Sequence, residues 1–440
     1  MADEIFEQAL AAARARGVTE IEAIVSGGDN ALTRFANNTI HQNVAEHTRH
    51  LSVRAIVDGR TARATTNRLD REGIERVVEE AIAIARLTER DPELLPLATP
   101  ADLPPANRTG DKIAGATERA QTVAEAIRIV EAARQTAAGI YSTALTNFSI
   151  FNSQGLSASY TETMARFSIT AMAADSSGWA KASAVNAAHL DPLALAHSAT
   201  QKAAVSAKPR ALPPGRYTVI LEPAAVLDLV GQMFGDFSAT AIRDDRSFLT
   251  GRIGQKIFGD NITIYDDVTH PLQAGAPFDG EGVPRQRLTL VEQGIVRQVA
   301  YGRQAAALAG AAPTGHGFPL PNEFGEAPVN IVIAGGDTPL EQMIASTDRG
   351  ILVTRLWYIR EVDPYGKIFT GMTRDGTFLV EGGRVVCGVR NFRFNQSLIE
   401  LLSNVESLSP SVRATGEETF DMVVPAMKAH AFNFTEVTRF

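Results

Sequence analysis

Eight histidines, one cysteine and several paired carboxylates are the residues of this chain that could ligate a metal or move a proton. Their spacing decides which could act together. His41, His47 and His50 cluster in sequence. In a strand His41 and His47 share a face and His50 points away, so they read as solvated strand histidines, a metal role being the sharper alternative. His316 lies in Thr314-Gly315-His316-Gly317, a flexible loop that could line a cleft or simply sit at the surface. His189, His197, His270 and His430 have no convincing partner pattern. Asp244-Asp245 and Asp266-Asp267 are adjacent carboxylates. Strand neighbours face opposite ways, so both pairs read as solvated and structural. Cys387 is the lone thiol, which rules out an intrachain disulfide and a four-cysteine zinc site. Val385-Val386-Cys387-Gly388-Val389 reads as a strand holding an ordinary buried thiol.

Other chemistries find less support. No Gly-x-Ser-x-Gly elbow occurs. Gly335-Gly336-Asp337 precedes Thr338-Pro339 and reads as a loop and helix cap, because no Gly-x-x-x-x-Gly-Lys follows. Arg355 and Arg360 flank Leu356-Trp357-Tyr358-Ile359. Such a strand could pair its edge with an extended peptide, a sequence-tolerant mode of recognition. The plainer reading is a core strand with exposed arginines.

The elements that must position these groups fall into two halves. Proline-rich stretches run from Asp91 to Gly110 and from Lys208 to Gly215. Proline fixes φ and removes a backbone donor, so neither should hold regular structure. The second stretch marks a boundary between an α/β domain (residues 1–212) and a mostly β domain (residues 213–440). The first domain reads as two helix–strands–helix units. One has a helix around 3–16, strands through Ile21, Ala23, Val25 and through Leu51, Val53, Ala55, Val57, an Asp58-Gly59 hairpin turn, and a helix with Ile74, Val77, Val78, Ala81, Ile82 and Ala85 on one face. The other has a helix near 118–138, strands over 145–176, and a helix from Asp191-Pro192 to about 206. After Gly215, a buried strand at 217–221 leads into a helix opened by Pro223. Short strands with glycine turns follow, which predicts a barrel or strongly curved sheet. The fold class is α+β.

No run approaches the roughly 20 apolar residues of a membrane span, and Met1-Ala2-Asp3-Glu4-Ile5 lacks signal-peptide character. With one cysteine, this predicts a cytoplasmic protein. The net charge of −8 gives no support for a broad nucleic-acid-binding face.

Several segments together resemble the TldD/TldE (PmbA) family. They are Arg34-Phe35-Ala36-Asn37-Asn38-Thr39-Ile40-His41-Gln42-Asn43, Ser247-Phe248-Leu249-Thr250-Gly251-Arg252-Ile253-Gly254, Pro277-Phe278-Asp279-Gly280-Glu281-Gly282-Val283-Pro284, Pro313-Thr314-Gly315-His316-Gly317, Gly371-Met372-Thr373-Arg374-Asp375-Gly376-Thr377-Phe378 and Asn391-Phe392-Arg393-Phe394-Asn395-Gln396-Ser397. No one of them is diagnostic. Their order and spacing over nearly the whole chain carry the resemblance.

The resemblance implies an α/β domain beside a barrel-like β domain, in a subunit of a peptidase acting on unfolded peptides or peptide precursors. TldD-type members hold zinc with His-Glu-x-x-x-His and a late cysteine, and TldE-type partners lack that site. Zinc needs lone-pair donors of this kind. The matching stretch here is Leu227-Asp228-Leu229-Val230-Gly231-Gln232. Leu227 cannot bind metal, Gln232 is a poor zinc ligand, Asp228 keeps a carboxylate on a shorter arm, and no cysteine follows Cys387. The expectation is a zinc-free, non-catalytic TldE-like subunit with no cofactor of its own and a zinc-bearing, TldD-like partner. His316, Arg355 and Arg360 are its candidate peptide-binding residues. An autonomous or homo-oligomeric peptidase using other residues, and a non-catalytic peptide-binding or regulatory protein, are the alternatives.

Overall fold

The computed structural model describes residues 2–105 and 108–438, so two residues of the first proline-rich stretch lie outside it. The N-terminal domain is α/β. It runs α1 (Ala2–Ala15), β1 (Glu20–Ala36), β2 (Thr39–Val57), β3 (Arg60–Thr66), α2 (Arg71–Leu87), α3 (Ala116–Ala132), β4 (Thr136–Asn152), β5 (Ser157–Met172), β6 (Ser177–Ala184) and α4 (Pro192–Val205). The strands form one sheet in the order β3-β2-β1-β4-β5-β6, antiparallel throughout. The same α-β-β-β-α unit therefore occurs twice, joined through β1 and β4.

Local chemistry explains the boundaries. Asp58 and Gly59 take φ of 51° and 74°, the left-handed pair that a two-residue hairpin turn needs. The Asp70 side chain caps α2 by accepting from Gly73 N, and that helix buries Ile74, Val77, Val78, Ala81 and Ile82 against the sheet beside α1. Asp191 caps α4 with Pro192 in its first turn. The expected 118–138 helix instead ends at Ala132. Arg134 turns the chain with φ 59°, and β4 begins at Thr136, ahead of the expected strand start. The Asn37-Asn38 turn was not foreseen. Both residues adopt left-handed φ (48° and 58°), and Asn38 Oδ1 accepts from Ala137 N at 2.6 Å.

The linker after α4 lacks a named element and leads into the β-rich C-terminal domain. This domain opens with β7 (Gly215–Leu221), α5 (Pro223–Val230) and a 3-10 helix (Gly231–Asp236), then α6 (Ala239–Arg243), β8 (Ile264–Asp266), β9 (Leu288–Glu292) and β10 (Ile295–Val296). Next come α7 (Arg303–Ala309), β11 (Ile331–Ile333), β12 (Arg349–Asp363), β13 (Ile368–Glu381), β14 (Arg384–Gly388) and β15 (Phe392–Ser397). The last strands are β16 (Val405–Leu408), β17 (Val412–Ala414), β18 (Met422–Val424) and β19 (Met427–Val437). One sheet has the order β10-β9-β8-β11-β18-β17. The other runs β12-β7-β19-β15-β13-β14, and β12 also pairs with β13. That extra pairing closes β12, β7, β19, β15 and β13 into a ring, the barrel expected from the strand spacing. The buried α5, with Val226, Leu227, Leu229 and Val230, packs in the main core among side chains from both sheets.

Candidate functional site

The expected metal-site helix is a short α-helix that tightens into a 3-10 turn at Gly231. Leu227 is fully buried in the main core. Gln232 Nε2 folds back and donates to Asp228 O at 3.0 Å. Asp228 is also fully buried. Its Oδ1 accepts from the backbone N–H groups of Glu417 and Glu418 at 3.0 and 2.9 Å, and Thr419 Oγ1 donates to Leu227 O at 3.1 Å. The residue 416–419 loop is thus strapped across the helix. Asp228 Oδ2 is buried with no hydrogen-bond partner. Burial pushes the Asp228 carboxyl up to about 6, although the two backbone donors oppose the shift.

These residues do not fit a zinc ion. Leu227 has no lone pair, the Gln232 amide is committed to backbone, and the one carboxylate is turned toward a loop. No group of three His, Cys, Asp or Glu side chains suited to a metal occurs among the described residues. Cys387 is partly buried and packs against the main core from β14.

Arg355 and Arg360 diverge. Arg355 points inward, 6% exposed, and corrects the reading of an exposed arginine. Its Nε donates to Asp375 Oδ2 at 3.0 Å, with a second bond from Nη2. Its guanidinium lies 4.9 and 5.5 Å from the ring centroids of Trp179 and Trp357. Arg360 is exposed. It stacks on Tyr358 at 4.6 Å and pairs with Glu418 at 3.5 Å. Between them β12 is distorted. Tyr358 takes φ 57° at a break in the β12–β13 register, and its N–H donates to Glu418 Oε1 at 2.8 Å. β7 pairs with β12 only through Ile351–Val353, so beyond Val353 the β12 ladder continues on the β13 side alone. Glu418 thereby connects the loop over Asp228 to this strand, while the Glu417 carboxylate pairs with Lys181.

His316 is 1% exposed, not on an open loop. Its Nε2 comes within 3.2 Å of Asp266 Oδ1 without forming an aligned hydrogen bond, and its Nδ1 is 2.9 Å from Thr314 Oγ1. Asp266 is also fully buried, which corrects the solvated reading. Its Oδ2 accepts from Val329 N and Asn330 N, both at 2.7 Å. Burial would raise this carboxyl, but His316 and Arg285 outweigh it and hold it below the usual range. His47 is exposed and lies 2.6 Å from Asp29.

Other residues of the shared segments also act as turn clamps, a role that side-chain type alone did not reveal. Asp279 accepts from Glu281 N, Val283 N and Gly317 N. Asn391 Oδ1 accepts from Thr373 and Thr377 hydroxyls. Asp375, Thr377 and Asn391 line a cleft of about 660 Å³ shared with Ser177 and Lys208 at the domain junction.

Comparison with known proteins agrees with this architecture. The PmbA/TldA metallopeptidase C-terminal domain matches residues 214–436, domain 1 matches 21–85 and the central domain 104–207. Metalloprotease PmbA of Escherichia coli O157:H7 is 24% identical over 401 residues, 86% of this chain and 85% of that protein. The metalloprotease TldD homolog of Haemophilus influenzae is 28% identical over 227 residues, 49% of this chain and 45% of that protein. For most curated relatives the chain spans less than half of their length. The crystal structure of TldE from Thermococcus kodakarensis superposes with a TM-score of 0.87 at 21% identity, covering 98% of this chain and 100% of that one. A putative modulator of a DNA gyrase from Thermotoga maritima gives 0.87 at 20%, covering 99% and 100%. These two likenesses concern the fold.

Proposed function

Because the chain belongs to the PmbA/TldD metallopeptidase family, we propose that it is a zinc-free, TldE-type subunit that pairs with a zinc-bearing, TldD-like partner and helps hold an unfolded peptide there. The observation that carries this reading is the occupation of the metal-site helix. Leu227 fills the core, and Asp228 ties down the 416–419 loop in place of addressing a metal-bound water. Zinc in the partner would supply activated water for hydrolysis. This chain would supply surface.

The β12 segment beyond Val353 suits that role, because its ladder continues only toward β13 and extended peptides add to strand edges through main-chain bonds. Arg360 is the outward cation there, and Arg355 is a buried strut that sets the strand's position. His316 acts from inside the fold by fixing its loop on Asp266. A cytoplasmic setting, suggested by the single cysteine, belongs to the same proposal.

Co-expression with the TldD-like protein of the same genome tests the reading. The expected result is a stable complex with zinc in the partner and cleavage of unfolded peptide that needs both chains. Tightly held zinc at the 227–232 helix of the isolated chain, or chelator-resistant cleavage by it alone, would overturn it.

A further inference from the structure

The linker after α4 is pinned between the two domains. Arg210 N donates to Gly388 O at 3.0 Å and Arg390 N donates to Arg210 O at 2.9 Å, so the linker runs alongside the end of β14. Gly388 makes this approach possible, because a methyl group there would lie 2.5 Å from Ser206 Cα. On the other side Asp175 Oδ2 accepts from Lys208 N at 3.1 Å, which ties the linker to the turn before β6. The junction cleft of about 660 Å³ therefore has walls from three places: the turn (Ser176, Ser177), the linker (Ser206, Lys208) and the barrel (Asp375, Thr377, Asn391). That is the volume of a site for a small molecule or a short peptide segment.

Hydrogen-bond accounting separates the spent donors of this cleft from the free ones. Ser176 Oγ donates to Ala203 O at 2.8 Å and Ser177 Oγ to Asp375 Oδ1 at 2.6 Å. Thr377 Oγ1 donates to Asn391 Oδ1 at 3.0 Å. Asp375 also takes Arg355 and Arg374, so its charge is met. Ser206 is different. It is 8% exposed, and its Oγ meets no hydrogen-bond partner among the described residues. A buried hydroxyl in that condition costs stability unless a ligand completes it. Asn391 has its carbonyl oxygen held by Thr373 and Thr377, which leaves the N–H groups of its amide to give. Lys208 and Arg390 line the same cleft, are exposed, and have no side-chain ion pair or hydrogen bond among the described residues.

We propose that the junction cleft binds a carboxylate-bearing ligand, a peptide C-terminus or a small organic acid, with Ser206 and Asn391 donating to it and Lys208 and Arg390 supplying positive charge at the rim. The unspent groups are donors and cations, the complement of an oxyanion. The Asp175 and Asp375 carboxylates in the same walls favour a singly charged group over a phosphate dianion. The assignment does not depend on the subunit reading, since none of these residues belongs to the 227–232 helix.

Isothermal titration of the full-length chain with N-acetyl-trialanine as the free acid, its C-terminal amide, butyrate and inorganic phosphate tests the assignment. The free acid should bind about tenfold or more tighter than the amide, the margin of a charge-assisted hydrogen bond. Butyrate binding as well would extend the site to small acids, and butyrate binding in place of the peptide would confine it to them; either result supports a carboxylate site. Ser206→Ala removes an unsatisfied hydroxyl, so it should raise the melting temperature of the free chain and yet weaken the bound acid by about fivefold. Lys208→Gln and Arg390→Gln should weaken it too and flatten its salt dependence. Equally tight binding of acid and amide, phosphate binding more tightly than either acid, or a Ser206→Ala variant that binds as wild type does would overturn the proposal. So would the absence of binding by both acids.

Discussion

Asp228→Asn should stabilise this protein progressively as pH rises. Burial lifts the Asp228 carboxyl from its ordinary 3.8 to about 6. The folded state therefore binds the proton more tightly than the unfolded chain does, and stability falls as pH climbs between the two values. Linkage puts the cost of the buried charge at roughly 2 kcal/mol at pH 5 and roughly 3 kcal/mol at pH 8. Asparagine can still accept from Glu417 N and Glu418 N but carries no charge. The stability of the variant minus that of wild type should therefore rise by roughly 1 kcal/mol from pH 5 to pH 8. Asp228→Ala removes the acceptor as well. It leaves two N–H groups without their partner, at roughly 1–3 kcal/mol each where water cannot replace it. It should fall below Asp228→Asn by a margin that does not vary with pH. Urea unfolding followed by tryptophan fluorescence measures both gaps, since Trp179 and Trp357 flank Arg355. An asparagine–wild-type gap that stays flat with pH, or alanine and asparagine variants of equal stability, would refute the reasoning.

Arg355→Met strips Asp375 of its main buried partner and should cost about 3 kcal/mol. Adding Asp375→Asn should recover part of the loss, as a double-mutant cycle in thermal melts would show. Asp266→Asn should destabilise the fold at neutral pH. The folded carboxyl lies below its ordinary value, so its contribution is present above that value and lost as pH falls through the folded pKa. The gap from wild type should accordingly narrow in acid denaturant titrations. Gly416→Ala would place a methyl group against Asp228 Oδ1. The amides of Glu417 and Glu418 should then exchange faster while those of β1 and β4 keep their protection.

Much of the fold was legible because local chemistry and tertiary demand agree. Asp58-Gly59, Asp191-Pro192 and Pro223 set boundaries that the backbone obeys. The extended middle strands were not legible, because the exposed part of β2 carries no alternating burial to read. A barrel was legible from the strand spacing, but not which strands close it, because those pairings join strands far apart in sequence. Around the candidate site, residue type showed what Leu227 and Gln232 cannot do. It could not show that Asp228 would be turned onto the 416–419 loop, because that partnership spans about 190 residues. His316 misled for a related reason. Flanking glycines suggest an exposed loop, whereas here they let backbone approach closely and bury the imidazole against Asp266.

Ring closure also sets an order of events during synthesis. β7, the first strand of the ring to leave the ribosome, lies between β12 and β19, and β19 is the last. Every strand of the α/β sheet is encoded before β7, whereas β7 must wait for staves encoded far downstream. A stop codon before Met427 would remove one stave and leave β7 and β15 without the neighbour that joins them. Such a product would carry every strand of the first sheet and an unsealed second half.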